Sequence, residues 1–230
     1  MENKIAQGFY GSLAEGRGDR YLVEARRFIP RYDEIAEEVT DLLQLYSPAE
    51  ILDIGSGIGN IEGIIFSKLP KSRVTCVEAS PDMAQTSRLN LSQYGDRANI
   101  INMSILDFVP EQQYDAILSN IALHNVPYDR KEGLIGSVRD WLNPEGVFVW
   151  SDLIKYANEQ IQGRVIGDRL RFAMERGASE EFARENFEKE GKHDYPLTTD
   201  ETLELLRKVG FERPENVWLH GAFEIFYARK

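Results

Sequence analysis

Five short apolar runs lie between Ile51 and Trp150: Ile51–Ile54, Val74–Glu78, Ile100–Met103, Tyr114–Ser119 and Val147–Trp150. Between most of them the apolar residues recur at helical spacing. Ile61, Ile64, Ile65, Phe66 and Leu69 form one such stretch, stopped by Pro70. A second opens at Pro81 and runs to about Tyr94, and a third runs from about Asp129 to Leu142. Strands joined through helices are parallel, with right-handed crossovers, and helices cover both faces of the sheet. Strands buried on both faces are apolar throughout rather than alternating, as these runs are. The expected fold is therefore α/β and Rossmann-like.

The flanks differ. Residues 1–30 are glycine-dotted and arginine-rich and read as a mobile lead-in, with Pro30 suited to a helix start. From Asp33, Ile35, Val39, Leu42, Leu43 and Tyr46 predict a helix that Ser47-Pro48 ends. Residues 155–193 are charged, with Ile161, Val165, Leu170, Phe172, Phe182 and Phe187 at helical spacing and no strand. They read as a helical insert after strand five, placed either as a lid over the sheet or as a cap on its edge. A helix over Thr198–Val209 precedes Gly210, where a C′ glycine belongs. Val217–Leu219 and Phe223–Tyr227 read as a closing antiparallel hairpin. The whole, 1–230, is read as one domain, with 1–46 as N-terminal arm and helix and 155–193 as insert.

The net charge of -11 repels phosphate backbones and disfavours DNA and general nucleic-acid binding. A single cysteine, Cys76, excludes an internal disulfide framework and fits a reducing, cytoplasmic compartment. No apolar run approaches the roughly 18 residues of a membrane span, and the first residues do not resemble a signal region.

The strongest chemical signal is Asp53-Ile54-Gly55-Ser56-Gly57-Ile58-Gly59, at the first strand-to-helix turn. Glycines there let the backbone turn sharply and approach a ligand with no Cβ in the way. A dinucleotide fingerprint would carry its third glycine at position 60, where Asn60 stands; this argues against an NAD(P)-dependent oxidoreductase. Glu78 ends the second strand, where a carboxylate accepts the hydroxyls of a ribose; otherwise it is a solvated acid ahead of Pro81.

These segments resemble class I S-adenosylmethionine (SAM)-dependent methyltransferases. Ile51–Asn60 is similar to that family's first motif, Val74–Met83 to its ribose motif, and Tyr114–Val126 to its fourth-strand motif. Leu142-Asn143-Pro144-Glu145-Gly146 resembles its leucine-x-proline-glycine turn. The resemblance covers roughly residues 30–152. Phe28-Ile29-Pro30-Arg31-Tyr32 and the insert are most similar to the carboxy-SAM synthase branch. It implies a seven-stranded sheet whose last strand is antiparallel, with SAM as cofactor across the C-terminal strand edges. It places Asp53, Gly55, Ser56 and Gly57 near the methionine part, Glu78 on the ribose, and Ala79 and Met83 beside the adenine. Asn120 and Ile121 continue that wall, and Tyr32 matches a tyrosine that holds the SAM carboxylate. Where the family often has an adenine-binding acid, Ser104 stands, leaving the Ser104–Ile105 backbone for that contact. The Arg-Ser pair that holds the extra carboxylate in carboxy-SAM synthases has no clear counterpart among Phe182–Asp194.

Methyl transfer needs alignment and water exclusion, and a base only for some acceptors. His124 and Asp152, after strands four and five, are the candidate catalytic pair; the alternatives are a core-edge histidine and a helix cap. His193 and Tyr195 stand beside the insert as weaker candidates. Phe9, Tyr10, Tyr21 and Phe172 are expected to line an acceptor pocket. The three histidines and Cys76 show no metal-ligand spacing, so no metal is expected. The expectation is a small-molecule O-, N- or C-methyltransferase, with assembly as a homodimer left open. Carboxy-SAM formation, an oxidoreductase and a non-catalytic SAM-binding module are the rivals.

Overall fold

The computed structural model describes residues 18–230. Phe9 and Tyr10 lie outside the described residues. The elements run α1 (Gly18–Phe28), α2 (Tyr32–Gln44), β1 (Glu50–Ile54), α3 (Asn60–Lys68), β2 (Arg73–Glu78), α4 (Pro81–Asn90), β3 (Ala98–Asn102) and β4 (Tyr114–Asn120). They continue with α5 (Tyr128–Trp141), β5 (Leu142–Leu153), α6 (Glu159–Glu175), α7 (Glu180–His193), α8 (Thr199–Lys208), β6 (Glu212–His220) and β7 (Phe223–Arg229).

The strands form one seven-stranded sheet in the order β3-β2-β1-β4-β5-β7-β6. β1 to β5 pair in parallel, and β7 enters antiparallel to both β5 and β6. Side chains alternate across a strand, so β1 divides its residues between two cores. Ile51 packs with Ile35, Val39 and Leu43 of α2 and Ile61, Ile65 and Phe66 of α3 on one face. Leu52 and Ile54 pack with Leu134, Ile135 and Val138 of α5 and Leu206 of α8 on the other. Asp53 shares the parity of Ile51 and is thereby carried under the helices on the first face.

Two expectations need correction. Residues 18–28, expected as part of an irregular lead-in, form a helix. Tyr21, Leu22, Ala25, Phe28 and Ile29 recur three and four apart between the arginines, and that stripe packs against the core. The fifth strand starts earlier than Val147. Leu142 pairs with Tyr114 and Val147 with Ala116, so Asn143–Gly146 bulge out of a strand that begins where α5 ends.

The segment after β5 is helical, in two pieces. Phe28 of α1 inserts between them, meeting Phe182 and Phe187 edge-on with ring centroids 5.7 and 5.9 Å away, beside Ala173 and Ala183. Across the same joint, Arg169 of α6 donates two bonds to Glu190 of α7, at 2.7 and 2.8 Å.

Candidate functional site

The strand order reverses direction between β1 and β4, and such a switch point leaves a crevice at the C-terminal strand edges. Here the crevice opens between the turns after β1, β2 and β4. It encloses about 740 Å³, counting the space open to solvent at its mouth. Ile54, Val77 and Ile105 form an apolar floor, and Gly55, Gly57, Glu78, Ala79 and Met83 form one wall. Ile121, Ala122, Leu123 and Val126 form the opposite wall, and Tyr21 of α1 closes one side.

Gly55 and Gly57 have φ of +77° and +61°, where a side chain is strained. A Cβ on Gly55 would stand 2.4 Å from the Cβ of Ala122, so the two walls approach as far as glycine permits. Ile121 itself holds φ 55°, a costly setting for a β-branched residue and one that concentrates at binding sites. Its N–H donates to the Ser151 carbonyl on β5 at 2.8 Å, which ties the wall to the sheet.

Glu78 joins the first two turns. Its Oε2 accepts from Gly57 N at 2.9 Å and its Oε1 from Ser80 N at 2.7 Å. Burial raises its pKa, against the lowering effect of the Ser80, Gly57 and Ala79 backbone bonds. The carboxylate is thus fixed at the crevice edge with lone pairs left for hydroxyl donors.

Beyond the glycine turn lies a smaller cavity of about 300 Å³. Tyr32, Asp53, Gly55, Ser56, Gly57, Ile58 and Asn120 line it, and Tyr21 borders it as well as the larger crevice. Asp53 is 0% exposed, and neither of its carboxylate oxygens has a hydrogen-bond partner. Its pKa is raised far above the usual carboxylate range by burial, then by Glu62 and Glu78. The Ser56 hydroxyl is also buried without a partner. Asn120 is oriented by Ser151, whose Oγ donates to its Oδ1 at 2.5 Å.

Ser104 lines neither cavity; its Oγ accepts from Leu106 N and caps the short turn Ile105–Asp107. Ile105 does reach the crevice floor. Glu62, on the first turn of α3, was not singled out from sequence. Its only signal there is an acid three residues after the last turn glycine, Gly59, inside an otherwise apolar helix face.

His124 and Asp152 do come together, behind the crevice wall rather than on it. His124 is 1% exposed, with Nδ1 2.5 Å from Asp152 Oδ1 and Nε2 3.9 Å from Asp194 Oδ2. The Asn125 side-chain amide stands 3.1 Å from Nε2, and Trp150 Nε1 donates to Asp152 Oδ2 at 2.9 Å. Burial pulls the imidazole pKa down, but Asp152, Asp194 and Glu190 together outweigh it and the net shift is upward. Asp194 is raised to about 6, chiefly by burial. Lys131 donates from the same side to the carbonyls of Leu123 and Val126, at 2.5 and 2.8 Å. Tyr195 donates its backbone N–H to the His124 carbonyl and packs edge-on against Tyr128. His193 is exposed at the end of α7, and Phe172 stacks under Arg176 away from both cavities. Among the described residues no cluster of His, Cys, Asp and Glu fits a metal ion, and no helix is long and apolar enough to cross a membrane.

A family model described as a methyltransferase domain matches residues 52–148, the span from β1 to β5 that supplies all but Tyr21 and Tyr32 of the lining of both cavities. A carboxy-S-adenosyl-L-methionine synthase of Campylobacter curvus (strain 525.92) is 26% identical over 208 residues, covering 89% of this chain and 88% of that one. The mitomycin 7-O-methyltransferase MmcR superimposes with a TM-score of 0.66 at 19% identity, over 97% of this chain and 60% of that one. The 1,6-didemethyltoxoflavin-N1-methyltransferase of Burkholderia thailandensis gives 0.62 at 19% identity, over 95% and 87%. At such identities the structural likeness shows the fold.

Proposed function

Because the chain belongs to the class I SAM-dependent methyltransferases, on the carboxy-SAM synthase-like branch, we propose that it methylates a small-molecule acceptor. One observation carries this: Glu78, held by Gly57 and Ser80, puts a fixed carboxylate where the crevice passes into the Asp53 cavity. An adenosyl group fits the apolar crevice, its ribose on Glu78 and its adenine between Met83, Ala79 and Ile105. The amino-acid end fits beside Tyr32, Asp53, Ser56 and Asn120. The sulfonium then stands near Gly55, facing the opposite wall. The acceptor atom bonds to the methyl carbon as the carbon–sulfur bond breaks, S-adenosylhomocysteine leaves, and any acceptor proton passes to solvent.

His124 and Asp152 support this site from behind. With Lys131 they fix the Leu123–Val126 wall, and alignment rather than proton abstraction is their contribution. Helix α1 supports a covering role for the insert: Tyr21 and Leu22 pack on Ile58 and Met83 at the crevice, while Phe28 is gripped by α6 and α7. A buried thiol at Cys76 and an acidic surface fit work in the reducing cytoplasm.

Carboxy-SAM formation is the second reading, favoured by relatives that match along most of this chain. A carboxylated sulfonium calls for a buried cation to receive it. In the insert, the buried Arg169 is committed to Glu190 in a two-bond pair. An ordinary methyl donor is therefore the better fit. The test is to incubate the protein with methyl-labelled SAM and a cell extract split by size. Label should enter the low-molecular-weight fraction, with S-adenosylhomocysteine formed alongside. Label confined to macromolecules would overturn the acceptor class, and a carboxylated nucleoside found by mass spectrometry would replace methyl donation.

A further inference from the structure

Beneath the glycine turn a second carboxylate meets Asp53. Glu62 is 0% exposed, its Oε2 has no hydrogen-bond partner, and its Oε1 accepts from the Cys76 thiol with sulfur and oxygen 3.2 Å apart. Cys76 is the register partner of Asp53 across β1 and β2, so the bond from its thiol sets the Glu62 carboxylate beside Asp53, and each carboxylate acts on the other. Asp53 lines the smaller cavity with both oxygens unpartnered. Among the described residues, the other ionisable groups that face the pair are Cys76 and Glu78 on β2 and Tyr32 on α2, with Arg26 and Asp33 acting on Tyr32. No cation is among the described groups acting on Asp53 or Glu62.

Two adjacent carboxylates that are both fully buried cannot both stay charged, since the repulsion and the lost solvation exceed what one proton costs to hold. The pair therefore keeps one proton and carries one negative charge. A cation entering the cavity reverses that balance, because it stabilises the second charge directly. We infer that Asp53 and Glu62 act as a one-proton pair that exchanges its proton for the α-ammonium of the cofactor, which makes Glu62 a binding residue acting through Asp53. The inference rests on the SAM site proposed above. The exchange balances: a pair with one proton and one charge becomes a doubly charged pair facing an ammonium, and the proton goes to solvent. Burial raises the pKa of both groups, which agrees in direction. Proton release on binding means that affinity rises with pH until the pair is deprotonated without ligand.

Calorimetric titration of the full chain with S-adenosylhomocysteine, in buffers of different ionisation enthalpy, counts the protons released. At pH about 6.5 the ligand amine, with an α-amino pKa near 7.8, stays charged and takes up none itself. The expected release is about one proton per ligand bound. In 5′-methylthioadenosine, which lacks the amino-acid end, the release should vanish while binding persists. Glu62→Gln relieves the repulsion on Asp53 and should cut the release by at least about half at the same pH. S-adenosylhomocysteine binding with no proton released, or equal release with 5′-methylthioadenosine, would overturn the inference and leave the cofactor assignment standing. No binding of either ligand to the folded chain would overturn both.

Discussion

Replacing Glu78 by alanine should weaken cofactor binding by one to two orders of magnitude. In the folded chain its two oxygens already accept from Gly57 and Ser80, at 2.9 and 2.7 Å, and the carboxylate keeps acceptor capacity at the crevice edge. Two ribose hydroxyls on a charged acceptor gain about 1.5–3 kcal/mol each. Covering a carboxylate that is still 8% exposed cancels part of that gain. Alanine also releases the Gly57 and Ser80 N–H groups, and both lie at the crevice, where water can reach them. A net loss of about 1.5–3 kcal/mol remains, or roughly 10- to 150-fold in Kd. Glu78→Gln keeps the shape and one acceptor oxygen and should fall between the two. The assay is calorimetric titration with S-adenosylhomocysteine, alongside a melting curve to show that each variant is folded. A folded Glu78→Ala protein that binds within about threefold of the parent chain would refute the ribose assignment.

Gly55→Ala combines a strained φ of +77° with a 2.4 Å approach to Ala122 and should cost about 2–4 kcal/mol. That corresponds to a Tm lower by roughly 5–15 °C; adding Ala122→Gly should recover only the steric part. His124→Gln removes the imidazolium paired with Asp152 and should cost about 3 kcal/mol near pH 5.5. Because the folded pKa of His124 is raised, its contribution is fully present below the unfolded value and is lost as pH rises through the folded one. Melting curves of the two proteins should therefore draw together as pH rises from about 6.5 through the raised folded value, and a constant gap would show that charge is not involved. Phe28→Ala empties the joint between α1 and the insert and should cost about 3–5 kcal/mol. Hydrogen exchange should then rise selectively over residues 159–193, and a uniform rise would contradict a separately docked insert.

The sheet was legible because five of its strands are short, unbroken apolar runs with proline or glycine at their ends. The turn after β1 was legible for the same reason that it is useful: only glycines allow its backbone. Less visible was whatever depends on side-chain parity across elements. Glu62 looks like an ordinary acid in a helix until α3 is laid on β1 and β2, when it meets Asp53 and Cys76. His124 and Asp152 stand side by side, yet their depth behind the wall follows from Asp194 and Tyr195, far along the chain. Helix α1 was hidden by its composition, since arginines and glycines dilute a stripe that needs only five apolar residues to dock.

The left-handed backbone at Ile121 has a further implication for anyone who re-engineers this enzyme. Glycine or asparagine would suit φ 55° better, but Ile121 is buried in the core that α2 and α3 form with the sheet, and truncating it costs about 2–5 kcal/mol against the roughly 1–2 kcal/mol of strain relieved. Such variants would melt earlier and would also lose the branched side chain from the surface that shapes the crevice. The strained backbone is held in place by the side chain it displays.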